Sequence, residues 1–182
     1  MATTIEEVMQ LDVVDPTNAN AYWTQVNGPL WPEGRFRFSR TGNPGPIAGR
    51  GLMTFTCPIP KNLAGTPAWN IVLHHIQASG DASNNPNAGA RVLLRVDAKV
   101  LASGDTPAAP TVLVPNSLIG CGQSGDFNIT VLSATNFDSA LALVAGNRLR
   151  MTLMRMPHGS SGDSVVGHWD LNYPPVLRCD VA

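Results

Sequence analysis

The stretch Arg148-Leu149-Arg150-Met151-Thr152-Leu153-Met154-Arg155 decides the fold class, because its apolar and polar residues alternate with the period of a β-strand. A Gly146-Asn147 turn precedes it, and a polar loop rich in glycine and serine follows at residues 157–164. The chain then enters an aromatic-bearing segment at residues 166–173. This order of strand, loop and strand predicts an antiparallel β-sandwich whose final hairpin completes one sheet.

The preceding part of the chain repeats this pattern of short apolar segments between glycine- and proline-rich turns. Arg35-Phe36-Arg37-Phe38 alternates strictly, which places both phenylalanines inward. Residues 69–76 are apolar on both faces, as expected of a central strand, and residues 127–131 alternate again. Eight or nine such segments, spaced by roughly 10–20 residues, predict an all-β fold, an antiparallel β-sandwich of the jelly-roll type.

The N-terminus carries helix signals instead. Residues 3–11 contain two overlapping capping boxes, Thr3-x-x-Glu6 and Thr4-x-x-Glu7. The apolar residues of this segment fall on one helical face. The sequence therefore predicts a short N-terminal helix, which needs a surface to pack on because two turns are marginal alone.

The segment that follows lacks any periodicity, although it keeps apolar bulk among several prolines and asparagines. We expect residues 1–34 to form a helix and an irregular arm, and residues 35–182 to form the sandwich domain. Such an arm either lies along its own domain or buries its tryptophans against a neighbouring subunit. We expect the second role. The candidate partner-interface residues are Val13, Trp23, Leu30 and Trp31.

The composition of the 182 residues further restricts the class of fold and the kinds of partner. Charged residues make up 14% of the chain, against roughly 25% in an average soluble protein. The 17 glycines and 15 prolines favour many turns over long helices. A net charge of −1 gives no global field that would attract nucleic acid or an acidic membrane. We therefore expect neither as a partner.

The cysteines and the N-terminus indicate a cytoplasmic site of synthesis. Cys57, Cys121 and Cys179 are odd in number and far apart, and no Cys-x-x-Cys pair occurs. A zinc knuckle and a disulfide framework are therefore not expected. The opening Met-Ala-Thr-Thr-Ile-Glu-Glu lacks the basic-then-apolar pattern of a signal peptide, so we expect none. No apolar run approaches the roughly 18 residues of a membrane span. We expect no metal and no cofactor.

No motif predicts catalysis. Gly120-Cys121-Gly122-Gln123-Ser124-Gly125 matches the dinucleotide pattern by letter, but a strand-like segment follows where that motif requires a helix. The pair His74-His75 points to opposite faces of a strand, so both cannot bind one metal. The serines of residues 159–162 do not form a nucleophile elbow. We therefore expect that the protein is not an enzyme.

A longer C-terminal pattern extends over residues 125–173. It consists of Ala145-Gly146-Asn147-Arg148-Leu149-Arg150-Met151-Thr152-Leu153, then Arg155, a loop to Asp163, and a last strand with Trp169, Leu171 and Tyr173. This pattern resembles jelly-roll accessory proteins of tailed-bacteriophage particles. The resemblance departs at the turn, where Asn147 stands in place of an acidic residue. The chain also continues past Tyr173 as a tail that predicts an extra edge strand or a partner contact.

The resemblance implies one of two functions. The first is a capsid decoration (cement) protein, which binds and stabilises the head shell, commonly as a homotrimer on the major capsid protein. Its location would be the capsid surface of the virion. The alternative is a receptor- or glycan-binding tip domain of a phage tail fibre or spike. A glycan-binding tip requires aromatic or acidic residues in its loops, and residues 79–89 and 157–164 contain few of either. The cement function is therefore preferred.

Overall fold

In a computed structural model of the chain, the described residues are 3–14, 21–27, 32–38, 51–77, 91–105, 109–121, 127–137, 140–156, 165 and 168–182. Every regular element among them is a β-strand, which confirms the all-β prediction. The described strands number twelve, not eight or nine. In chain order they are β1 (Thr3–Val8), β2 (Gln10–Val14), β3 (Ala21–Asn27), β4 (Pro32–Phe38), β5 (Gly51–Pro58), β6 (Trp69–Gln77), β7 (Arg91–Leu101), β8 (Thr111–Gly120), β9 (Phe127–Ser133), β10 (Arg148–Arg155), β11 (Trp169–Leu171) and β12 (Val176–Val181).

The strands form two antiparallel sheets, so the prediction of a β-sandwich is confirmed. The larger sheet has the order β1-β12-β6-β11-β4-β3, with β9 paired to β6 as a seventh strand. The smaller sheet has the order β2-β5-β10-β7-β8. In the larger sheet, β12 pairs with the first half of β6 and β11 pairs with the end of the same strand. Since β9 also pairs along nearly all of β6, it lies on the side of β6 opposite to β11 and β12.

The core lies between the two sheets. Phe38 and Trp169 are fully buried there, with ring centroids 5.3 Å apart. Phe36 is half-buried and packs edge-on against Phe55 at 5.5 Å. The inward positions predicted for both phenylalanines are confirmed. Burial also raises the pKa of the Cys57 thiol to about 12, so this cysteine behaves as a small apolar side chain.

The prediction of a closing hairpin is wrong. β10 lies inside the smaller sheet between β5 and β7, whereas β11 lies in the larger sheet between β6 and β4. β10 pairs along its whole length with both neighbours, so neither of its edges is open to the next strand of the chain. The tail beyond Tyr173 is also not an edge strand, because β12 pairs with β1 on one side and β6 on the other.

The prediction of a short N-terminal helix is also wrong. Residues 3–8 form β1, which pairs with β12, and residues 10–14 form β2, which pairs with β5 in the other sheet. Between them, Met9 is fully buried, while Val8 is 59% exposed. A helix would place both side chains on one face, but a strand sends them to opposite sides. Pairing with β12 over six positions outweighs the local preference for two helical turns.

The segment expected to be irregular also contains strands. Residues 21–27 form β3 and pair in register with β4. Whether residues 1–34 are a unit that the remaining chain can lose without unfolding stays a prediction, and the deletion of residues 1–14 described in the Discussion tests its first part.

Candidate binding surface on the outer face of the larger sheet

Strand β6 separates the core from the outer face of the larger sheet. Ile71, Leu73 and His75 point into the core. Val72, His74 and Ile76 lie on the opposite face, where Val72 and Ile76 are covered and His74 is half-buried. Because β9 pairs with β6 in register, Ile129 lies opposite the outward residue His74. The same register places Phe127 and Val131 on the outer face.

The outward side chains of β9 are apolar and exposed. Phe127 is 51% exposed, Ile129 is 58% exposed and Val131 is 45% exposed. Sequence alternation predicted the strand correctly, but alternation does not specify which face is buried. In this strand the apolar set faces outward.

The inward side of β9 is polar for a specific reason. The Thr130 hydroxyl lies 2.8 Å from Nε2 of His75, and the Asn128 side-chain amide donates a hydrogen bond of 2.9 Å to the Cys121 carbonyl. Leu132 completes this side and is buried in the core. These hydrogen bonds fix the register of β9, since a shift by one residue would bury Ile129 and expose Thr130.

His75 connects β9 to the centre of the core. The Trp169 indole Nε1 donates a 3.1 Å hydrogen bond to Nδ1 of His75, so Nδ1 carries no proton. Nε2 is then the protonated nitrogen of the neutral ring, and it donates to Thr130. Burial, together with the neighbouring charge of His74, lowers the pKa of His75 to about 4. The ring is therefore neutral at pH 7.

This pKa predicts a loss of stability in mild acid. The folded pKa lies below the ordinary histidine pKa of 6.5, so the unfolded chain binds more protons between the two values. The contribution is fully present above pH 6.5 and is lost as pH falls towards about 4. We expect a decrease of about 3 kcal/mol in the free energy of unfolding over that range.

Denaturant titrations at a series of pH values measure this decrease. The His75→Gln variant should lose most of the acid-dependent decrease, while His74→Gln should retain it. An equal pH dependence in His75→Gln and the wild type would show that another group titrates.

Three rings cluster at one end of the exposed face. The His74 ring lies 5.7 Å from Phe127 and 5.9 Å from Tyr173, which meets it edge-on at 87°. Tyr173 is 61% exposed, because β11 ends at Leu171 and the chain bends before β12. The outer stripe is defined as Phe127, Ile129, Val131, His74 and Tyr173. It contains no Asp, Glu, Lys or Arg.

A buried ion pair lies further along the same sheet. Asp170 has no exposed surface, and both of its oxygens accept hydrogen bonds from Arg37, at 3.0 and 2.8 Å. A second guanidinium, that of Arg35, lies 3.9 Å from the same carboxylate. This bidentate arrangement joins β11 to β4 and is structural, because the carboxylate is fully covered.

Two grooves among the described residues lie beside strand ends. One, of about 370 Å³, opens beside Trp69 and Phe137, whose ring centroids are 4.8 Å apart. Its other lining residues are apolar: Ala134, Ala140, Leu141 and Ala142. The second, of about 480 Å³, is lined by loop residues that include Asp105 and Arg148. In the second groove the Asp105 carboxylate accepts a 2.8 Å hydrogen bond from the Ala102 backbone amide.

Of the interface residues chosen from the sequence, Val13 and Trp23 lie in described strands, but with their side chains outside the described residues. Val13 lies in β2, with its backbone opposite Thr54 in the smaller sheet. Trp23 lies in β3, opposite Phe36 in the larger sheet. The side chains of both, and all of Leu30 and Trp31, lie outside the described residues. Their role at an interface stays a prediction.

Within the described ranges, no group of three or more His, Cys, Asp and Glu side chains is placed to hold a metal ion. Helices long and apolar enough to cross a membrane are also not found among these residues. The expectations of no metal site and no catalysis stay predictions.

Comparisons with known proteins give a fold likeness only. No family model and no curated protein matches the chain. Among solved structures, the enzymatically active domain of tailspike protein 4 from bacteriophage CBA120 is 12% identical with a TM-score of 0.42, over 96% of this chain. This chain spans only 19% of the tailspike chain. The family 11 carbohydrate-binding module from Clostridium thermocellum is 10% identical, with a TM-score of 0.43 and 95% of each chain covered. A chain of infectious bursal disease virus, Gt strain, is 11% identical with a TM-score of 0.42, over 99% of this chain and 33% of that one.

Proposed function

We propose that this protein is a structural virion protein, a capsid decoration or cement protein that binds the head shell through the outer stripe. The exposure of Phe127, Ile129 and Val131 on one face of β9 carries this proposal. An apolar patch of a few hundred Å² is often a functional surface of a soluble protein. Covering the stripe with a partner is therefore more favourable than leaving it exposed to water.

The chemistry of the stripe favours a protein as that partner. Ile129 and Val131 offer neither a flat ring nor a hydrogen-bonding group, so they contribute only apolar area. Aromatic residues are enriched and charged residues are depleted at the centres of protein–protein interfaces. The outer stripe shows the aromatic enrichment, because His74, Phe127 and Tyr173 supply three of its five side chains. Such surfaces bind because packing the apolar side chains of both partners together removes apolar surface from water.

The frame beneath the stripe is suited to binding without rearrangement. The hydrogen bonds from His75 to Thr130 and from Trp169 to His75 hold β9 against the core. A preorganised surface loses less conformational entropy when the partner binds. We propose a homotrimer on the major capsid protein, at the capsid surface, because this is what the C-terminal resemblance implies.

The alternative, a receptor- or glycan-binding tip of a tail fibre or spike, has one observation in its favour. His74, Phe127 and Tyr173 form an aromatic cluster in which Phe127 and Tyr173 are exposed, and rings of this kind can stack on the apolar face of a sugar. The two functions predict that different residues of the stripe contribute most of the binding free energy. A glycan would depend on the rings, whereas a capsid partner would depend on the aliphatic part of the stripe as well.

Binding to purified head shells that lack this protein tests the proposal. The double variant Ile129→Ser and Val131→Ser should bind at least about tenfold more weakly, since each apolar anchor contributes about 1 kcal/mol or more at an interface. Val144→Ser is the matched control, because Val144 is 49% exposed but precedes β10. It should bind like the wild type.

Two results would contradict the proposal. One is equal binding of the wild type and the double variant to the shells. The other is no binding to shells combined with binding to host-surface glycans that Tyr173→Ala abolishes, which would favour the fibre-tip alternative.

A further inference from the structure

The edge strands of the two sheets differ in how they are protected against pairing with another chain. Natural edge strands commonly carry a charge or a proline that blocks such pairing. β1 carries Glu6 and Glu7, β2 carries Asp12, and β8 carries Pro115. The side chains of β3 lie outside the described residues.

β9 has no such protection. Its sequence Phe127-Asn128-Ile129-Thr130-Val131-Leu132-Ser133 contains neither charge nor proline, and three of its seven residues are β-branched. In the described part of the chain, β6 is the strand that pairs with it, which places β9 at the edge of the larger sheet. We propose that β9 pairs antiparallel with β9 of a second copy of this chain and continues the sheet across a two-fold axis.

The strand is complementary to itself in this pairing. A register centred on Thr130 overlaps the whole strand and sets Ile129 opposite Val131 of the partner subunit. Both members of the pair then point to the same outer face, and apolar cross-strand pairs stabilise a sheet. A two-fold axis brings identical segments together, so any charge near the centre would lie close to its own copy. β9 carries none, whereas the glutamates of β1 would repel one another.

Pairing of two copies would double the apolar area that is available to bind the shell. An aromatic side chain buries about 150–250 Å² when fully covered, so the half-exposed side chains of one stripe offer on the order of 300–400 Å². A stable protein interface requires about 800 Å² from each partner. Two paired copies would join their stripes into one surface of about that size. This step rests on the proposed function, but the pairing itself does not require the shell.

Sedimentation equilibrium of the purified protein, without shells, tests the pairing. The wild type should show a concentration-dependent doubling of mass, to two copies from a monomer or six from a trimer. Ile129→Lys should lower the association constant about tenfold or more, because it removes both apolar pairs and brings two like charges together. Val8→Lys is the matched control, since Val8 is 59% exposed on another edge strand and Ile129 is 58% exposed. It should associate like the wild type.

Hydrogen exchange identifies the surface that pairs. Amides of residues 127–133 should gain protection as the wild-type concentration rises, and the gain should be lost in Ile129→Lys. If that variant does not fold, Val131→Lys replaces it. The proposal is overturned if the mass of the wild type does not double at any concentration up to about 1 mM. It is also overturned if the lysine variants associate like the wild type, or if the amides of residues 127–133 gain no protection when the mass doubles. Shell binding that persists without doubling would overturn only the pairing, and doubling without shell binding would overturn only the proposed function.

Discussion

Deleting residues 1–14 is expected to lower the free energy of unfolding by more than about 4 kcal/mol, a change large enough to leave much of the protein unfolded. The deletion removes Met9 from the core, and the loss of a buried methionine side chain alone costs about 2–5 kcal/mol. It also removes β1 from β12 and β2 from β5, so both sheets lose a strand. Denaturant titration followed by circular dichroism measures the change.

Point variants at adjacent positions provide the control for this deletion. Met9→Ala should cost about 2–5 kcal/mol, whereas Val8→Ala should stay within about 0.5 kcal/mol because Val8 points outward and is 59% exposed. The sequence predicts the opposite result for the segment, a dispensable arm on a self-sufficient domain. A truncated chain with the wild-type midpoint of unfolding would support that arm and would contradict the importance of the two strands.

Asp170→Asn is expected to cost about 3 kcal/mol or more, because it leaves two mostly buried guanidinium groups beside a neutral side chain. Arg35 and Arg37 are only 14% and 17% exposed, so water compensates little for the lost carboxylate. The substitution keeps the shape of the side chain, which separates the charge from the packing. The measurement is again the free energy of unfolding.

An exposed ion pair supplies the comparison. Glu6 accepts a 2.9 Å hydrogen bond from Arg178 across β1 and β12, but their side chains are 55% and 38% exposed. Glu6→Gln should therefore cost less than about 1 kcal/mol. Equal costs for Asp170→Asn and Glu6→Gln would show that the Asp170 cluster is solvated and contributes little.

The sequence was sufficient to predict the class of fold, because alternation is a local property that a strand reveals by itself. It indicated that Phe38 points inward and that His74 and His75 face opposite sides of a strand. The structure agrees, with His75 buried and His74 half-buried. Each of these conclusions needs only a period of two and a turn on either side.

The sequence did not predict strand partners, because pairing depends on residues far away in the chain. β10 and β11 follow one another but lie in different sheets, and β1 pairs with β12 from the opposite end of the sequence. Long-range pairing of this kind overrode the capping boxes at the N-terminus. The same limitation explains why the outer stripe was missed. Which face of β9 is buried depends on its contact with His75, and His75 is 55 residues from its partner Thr130.

One signal in the sequence does point to the stripe in retrospect. Polar residues at alternate positions of β9 match a polar histidine in the central strand, and a buried histidine needs hydrogen-bond partners. A pairing of β9 with β6 that satisfies His75 must turn Thr130 inward and Ile129 outward. That inference requires the pairing to be known, so it becomes available only with the fold.

Imaging purified particles with and without this protein, by electron cryomicroscopy, tests most directly whether the outer stripe attaches it to the head shell. We expect extra density on the capsid surface, with β9 and Tyr173 facing the shell and the smaller sheet facing solvent. Density at the tail, or density on the capsid with the outer stripe facing solvent, would contradict it.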